Sequence, residues 1–212
     1  LQRLLDEEKP EALCVTFDRR EPTFRHEADA SYKAQRKGMP EELAMQLLPL
    51  KQVLTAMSIP QYELAGYEAD DLIGTISRKC EADGWDCVVV TGDKDSLQLI
   101  TDHTKVKLVS TRMGQTTTKD MTPETFRETY GFAPIHMIDL KALMGDSSDN
   151  IPGVPGIGEK TAMALVQEYG SIDALYAQMP DVHAKPAALR KLQEGEEAAR
   201  HSYWLATIVT DA

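Results

Sequence analysis

Several things are scarce or missing in this chain of 212 residues, and each absence narrows the reading. No apolar run approaches the ~20 residues of a membrane-spanning helix, which leaves a chain whose 42% apolar content goes into a core. Cysteine is limited to Cys14, Cys80 and Cys87, an odd number without metal-ligand spacing. A disulfide framework is not expected, the three read as core residues, and a reducing cytoplasm is the expected compartment. There is no initiator Met, and the opening Leu1-Gln2-Arg3-Leu4-Leu5-Asp6-Glu7-Glu8 is acidic and amphipathic, unlike a signal peptide. The chain enters a helix at once, so a preceding element is expected. Low-complexity segments and fold-defining repeats are missing too.

Positive charge is also short: 23 Lys and Arg stand against 34 Asp and Glu, for a net charge of −11. Such a balance argues against nucleic acid as a partner unless the acids are gathered in one place. No Lys or Arg occurs from Gln52 to Ser77, yet that gap holds Gly66-Tyr67-Glu68-Ala69-Asp70-Asp71-Leu72. Carboxylates in the first turn of a helix are favoured by its exposed N–H groups and macrodipole, and alone that explanation suffices. The alternative is a set of oxygen donors for a hard divalent cation such as Mg2+.

Further acids stand where strands end. The run from Ala12 to Phe17 reads as a buried parallel strand, with Asp18 at its carboxyl end, the edge where open α/β sheets gather ligands. Cys87-Val88-Val89-Val90 reads as a second such strand, running into Thr91-Gly92-Asp93-Lys94-Asp95 before a short helix from Ser96 to Ile100. A turn with an N-cap would use the same residues. Lys105 to Val109 alternates as a further strand, and Met113-Gly114 is a turn. Between these lie a basic stretch, Tyr32-Lys33-Ala34-Gln35-Arg36-Lys37, and a helix from about Pro40 to Ser58. Leu43, Leu47, Leu50, Leu54 and Met57 form that helix's apolar stripe, and Pro49 predicts a kink or break. Lys33 and Arg36, three apart on one helical face, are either a solvated surface or phosphate contacts.

From Thr122 onward the pattern is helical. Thr122-Pro123-Glu124 is a helix start, and the helix from Ile135 to Met144 closes at Gly145. Asp146 and Asp149 follow, with no Lys or Arg between Lys141 and Lys160. The segment Gly153-Val154-Pro155-Gly156-Ile157-Gly158-Glu159-Lys160-Thr161 reads as a hairpin between helices. Its glycines admit a phosphate close to the backbone, the next helix offers N–H groups, and Lys160 adds charge. A plain capping turn is the alternative. The division expected is an α/β core over residues 1–119 and a helical unit over 120–212.

Eight carboxylates (Asp18, Glu68, Asp70, Asp71, Asp93, Asp95, Asp146 and Asp149) come from four separate loops or helix starts. Crowded together they would repel unless cations offset them, and a two-metal site for phosphoryl chemistry fits their number and placement. Set aside, they leave the remaining acids near balance with the basic residues.

Taken in order, Phe17-Asp18, Phe24-Arg25-His26-Glu27, Tyr32-Lys33 with Arg36, Gly66 to Asp71, Thr91 to Asp95, Gly145 to Asn150 and the Gly153 to Lys160 hairpin resemble the flap endonuclease family. Within it they resemble the 5′-to-3′ exonuclease domains of bacterial DNA polymerases I, from about Ala12 to the end of the chain. The resemblance implies a mostly parallel, PIN-like sheet flanked by helices, followed by a helix-hairpin-helix subdomain. It implies one metal site from Asp18, Glu68, Asp70 and Asp71 and a second from Asp93, Asp95, Asp146 and Asp149, taking Mg2+ or Mn2+. Lys33 and Arg36 would meet the scissile phosphate. Tyr32, Gly153, Gly156, Gly158, Lys160 and Thr161 would contact DNA, with K+ on the hairpin carbonyls. The implied substrates are DNA with a 5′ end or 5′ flap and RNA–DNA primer junctions, handled by a monomer with a polymerase domain downstream. The family opens with a strand carrying another metal-binding Asp, so this chain without it is expected to be weakly active or inactive. A module that grips branched DNA without cutting it, and a metal-dependent phosphatase or RNA-directed nuclease, are the competing readings.

Overall fold

A computed structural model describes all 212 residues. In chain order the elements are α1 (Gln2–Glu8), β1 (Val15–Thr16), α2 (Phe24–Ala28), α3 (Glu41–Ala56), β2 (Gln61–Tyr62), α4 (Ala69–Ala82), β3 (Cys87–Thr91), β4 (Thr104–Arg112) and β5 (Gln115–Met121). Six helices follow: α5 (Pro123–Tyr130), α6 (Met137–Met144), α7 (Glu159–Tyr169), α8 (Ile172–Ala177), α9 (Pro186–Glu194) and α10 (Glu196–Ala206). The class is α/β with parallel strand pairs, and the C-terminal part is helical, as the sequence leads one to expect. No helix is long and apolar enough to cross a membrane.

The sheet is in two pieces. β1 pairs with β2 in parallel through Val15–Gln61 and Thr16–Tyr62. β3 pairs with β4 in parallel, and β4 turns at Met113-Gly114 into antiparallel β5. β3 is short because its apolar run ends at Thr91, and that end, like the end of β1, delivers acids to the same edge. Val89, Val106 and Met121 carry the sheet's apolar face onto Phe126, Leu140, Leu143 and Leu165 of the helices. The core is thus continuous across the division expected at 119/120, which falls inside β5.

Two expectations are corrected here. α3 is one uninterrupted helix through Pro49, and of its apolar stripe only Leu54 is buried; Leu43, Leu50 and Met57 are exposed. The period of an apolar pattern marks a face but does not say that anything covers it. The basic stretch is not a helix either: residues 30–35 form turns, with Lys33 at a φ of 54°. Lys33 and Arg36 therefore do not share a helical face.

Candidate active site

The first turn of α4 organises the site. Its N-cap is Glu68, and Asp18, arriving from β1, accepts a hydrogen bond from the Ala69 amide at 2.8 Å. Behind β3, Asp93 accepts the Asp95 amide at 2.9 Å, a local turn that fixes both carboxylates at the strand's end. Asp146 lies beyond Gly145, where a short antiparallel bridge to Ile151 closes the loop that carries Asp149. Glu68, Asp70, Asp71, Asp95 and Asp149 line a single concavity together with Arg25 and Lys33. Four stretches far apart in sequence thus meet in one place.

Asp71 is not available as a metal ligand, contrary to expectation. It is fully buried and accepts two hydrogen bonds from Arg25, each at 2.8 Å, with the amides of Glu68 and Val209 on the same carboxylate. Burial opposes its ionisation, but the Arg25 guanidinium outweighs this and holds the carboxyl below its usual range. Arg25 is locked in turn by the carbonyls of Leu205 at 3.1 Å and Thr207 at 2.6 Å. Both oxygens of Asp71 serve the fold.

Asp70, one residue earlier, lies in the opposite environment. Burial, reinforced by Asp93, Asp18 and Asp95, pushes its carboxyl up to about 7. Asp95 is also raised, by burial and by Asp93 and Asp146, against the pull of Lys141. Lys141 bridges Asp95 and Asp146, meeting Asp146 at 2.7 Å. Burial opposes ionisation of Asp146 as well, yet Lys141 and Ser148 bring it down to about 2. Lys141 thus answers both acids, while the deeper burial of Asp95 and its neighbours Asp93 and Asp146 keep that carboxyl raised.

Lys33 and Arg36 are at this site, already engaged with its acids. The Lys33 ammonium lies 2.6 Å from Glu68 and 3.6 Å from Asp149, and Arg36 pairs with Asp149. Tyr32, expected to meet DNA, is buried instead, with its hydroxyl donating to Glu68 at 3.1 Å. The lack of nearby Lys and Arg in sequence around Glu68 and Asp71 is real, but compensation comes from residues 25 and 33.

The hairpin between α6 and α7 divides likewise. Gly156, Gly158 and Lys160 are exposed and Thr161 is half-buried at the start of α7, whereas Gly153 is buried. A Cβ on Gly153 would lie 2.2 Å from the Gly145 amide nitrogen, and its own N–H donates to Ser202 at 2.9 Å. Gly153 is a close-packing residue and not a DNA contact.

Sequence patterns reach beyond these contacts. Residues 1–131 match the N-terminal resolvase-like domain of 5′-3′ exonucleases, and residues 132–212 match the C-terminal SAM fold of 5′-3′ exonucleases. The chain belongs to the 5′-3′ exonuclease family. It is 46% identical to DNA polymerase I of Bacillus subtilis and 43% identical to that of Bacillus caldotenax, in both cases over its whole length. The chain spans about a quarter of those relatives, 24% of each. Among solved structures, T5 5′-exonuclease with bound zinc aligns with a TM-score of 0.78 and 26% identity, covering 97% of this chain and 77% of that one. The T5 D15 flap endonuclease in a complex with DNA and metal ions aligns equally well, at 0.78 and 26%, over 99% and 77%. The catalytic core of Rad2, at 0.57 and 19% over 93% of this chain and 66% of that one, shares the fold.

No three His, Cys, Asp or Glu side chains of this family member converge as a ready-made metal cage. The donor chemistry nevertheless fits a hard divalent cation. Asp18, Asp70 and Asp93 are carboxylates without a Lys or Arg partner, close enough to one another for their charges to raise Asp70. Elsewhere in the site Lys33 and Lys141 supply the positive charge that an ion would supply. Sequence reasoning missed the roles of Arg25 and Lys141. Arg25 stands in Phe24-Arg25-His26-Glu27, ahead of the basic stretch, and Lys141 is the last cation before an acid-only gap; neither position reveals its partner.

Proposed function

We propose that the chain hydrolyses DNA phosphodiesters at a 5′ end or at the base of a 5′ flap, RNA primers included, with two divalent cations. The observation that carries this reading is that Asp18 and Asp93, which like Asp70 have no Lys or Arg partner, stand near enough to help raise Asp70 to about 7, in a 5′-3′ exonuclease family member. Asp18, Glu68 and Asp70 would hold one ion and Asp93, Asp95, Asp146 and Asp149 the other, Mg2+ or Mn2+. When bound, such a pair polarises the phosphodiester, supplies hydroxide and stabilises the leaving oxygen. Lys33 and Arg36, now on Glu68 and Asp149, stand at the mouth of the acid cluster, where exchange of carboxylate for phosphate oxygen orients the scissile group. The exposed hairpin from Gly156 to Thr161 grips the duplex backbone. Hairpin carbonyls other than that of Gly156, which holds the Lys191 ammonium, would take a K+ ion. Zinc and metal ions with DNA in the T5 structures support the metal and substrate parts of this reading. The DNA polymerase I relatives support a nuclease carried with a polymerase domain and serving replication and repair; in this reading it acts in the cytoplasm as a monomer.

The internal pairing of the acids by Lys33 and Lys141 favours one alternative, a module that grips branched DNA without cutting it. The deciding experiment incubates the chain with labelled 5′-flap DNA in Mg2+, beside single-stranded RNA and p-nitrophenyl phosphate. Weak, Mg2+-dependent cleavage at the flap base is expected. Asp70→Ala and Asp93→Ala should each lower cleavage by roughly 10²–10³-fold while retaining flap binding. Flap binding with no Mg2+-dependent cleavage, both by this chain and by one carrying the family's opening strand, would establish the module instead.

A further inference from the structure

Lys191, on α9, reaches the hairpin across 35 residues of sequence: its ammonium donates to the Gly156 carbonyl at 3.1 Å. The position is built by packing. A Cβ on Gly195, at the corner between α9 and α10, would stand 2.7 Å from Val154 and 2.8 Å from the Lys191 carbonyl. The bare corner therefore lets the end of α9 lie against the hairpin. Leu192 is fully buried in the core that holds Val154 and Ile157, and it fixes the rotation of α9 so that its neighbour Lys191 lies along the hairpin surface. At Gly156 a Cβ would come within 2.4 Å of the ammonium, so the glycine makes room for it.

Arg190 meets Glu194 at 3.7 Å, but the Lys191 ammonium has the Gly156 carbonyl as its partner and no carboxylate. Its charge is therefore not neutralised by a neighbouring acid, and it lies on α9 against the hairpin. An ammonium has three donors, and the carbonyl takes one. Two remain without a partner in the protein.

We infer that Lys191 contacts a DNA phosphate, extending the hairpin's grip from α7 onto α9. This rests on the reading that the hairpin binds duplex DNA. The carbonyl holds the ammonium in place before the phosphate arrives, so little side-chain freedom is lost on binding.

The test measures 5′-flap DNA binding by fluorescence anisotropy over a range of salt concentrations, with EDTA present so that nothing is cut. Each phosphate contact contributes about 0.9 to the slope of log affinity against log salt. Lys191→Met should reduce the slope by about that amount, Lys191→Arg should retain it, and Lys160→Met serves as the reference for the hairpin. If Lys160→Met lowers the slope and Lys191→Met does not, Lys191 only braces the hairpin; the inference falls and the DNA grip stands. If neither substitution lowers it, the grip itself is wrong and the inference goes with it.

Discussion

Asp70 and Asp71 are consecutive residues in the first turn of α4, and the two sides they face could hardly differ more. About 100° of helix rotation separates them. On one side Asp71 is sealed in, doubly bonded to Arg25 and held below its ordinary range. On the other, Asp70 looks across at Asp18, Asp93 and Asp95 and is pushed up to about 7. The contrast separates architecture from chemistry within one motif. A carboxylate whose charge is fully answered holds the fold together, and the carboxylate beside it keeps an electrostatic demand that a substrate complex or a cation can meet.

The Arg25 side should give the largest effect. Arg25→Met leaves a buried carboxylate uncompensated and frees two backbone carbonyls, and should cost about 3–5 kcal/mol in urea unfolding. A loss below 1 kcal/mol would mean that Asp71 does not anchor this turn. On the other side the sign reverses. Folded Asp70 keeps its proton to about 7, whereas an unfolded Asp releases it near pH ~4. Between those limits the folded state binds more protons, so the metal-free chain loses stability as pH rises through the window. Asp70→Asn should flatten that decline and stabilise the chain at pH 8 by about 2 kcal/mol, read from unfolding curves at several pH values. A smaller signal sharpens the contrast further. Mg2+ bound by Asp70 must displace its proton, so titration calorimetry in buffers of different ionisation enthalpy should show about one more proton released at pH 6 than at pH 8. Equal release at both would remove Asp70 from the metal-binding set.

The sequence made the strands and their terminal acids readable, because continuous apolar runs such as Cys87 to Val90 break off directly into Asp-containing turns. The hairpin was readable for a similar reason: Gly156 and Gly158 sit at fixed positions before a helix. Contacts between distant residues were not. Nothing local in Phe24-Arg25-His26-Glu27 says that its Arg will be buried on Asp71, 46 residues later. Helical spacing suggested a shared face for Lys33 and Arg36, but Lys33 takes a left-handed backbone that no periodicity forecasts. β5 escaped notice because Gln115 to Met121 is almost wholly polar and exposed, a strand recruited by its hairpin turn and not by its own apolar face. Gly153 was misread because backbone packing and phosphate approach place the same demand on a residue, the absence of a side chain.

The latch on Arg25 has a consequence for the order in which this protein can assemble. Arg25 is held by carbonyls 180 and 182 residues further along the chain, and Asp71 by an amide 138 residues away. Contacts of such long range close late in folding, after local helices and hairpins have formed. During synthesis, when a chain lengthens at about 5–20 residues per second, the first turn of α4 waits roughly 7–28 seconds for its partners to emerge. Until residue 209 has left the ribosome the acid cluster lacks its frame, so a nascent chain acquires this candidate cutting site only after nearly all of these residues have been made.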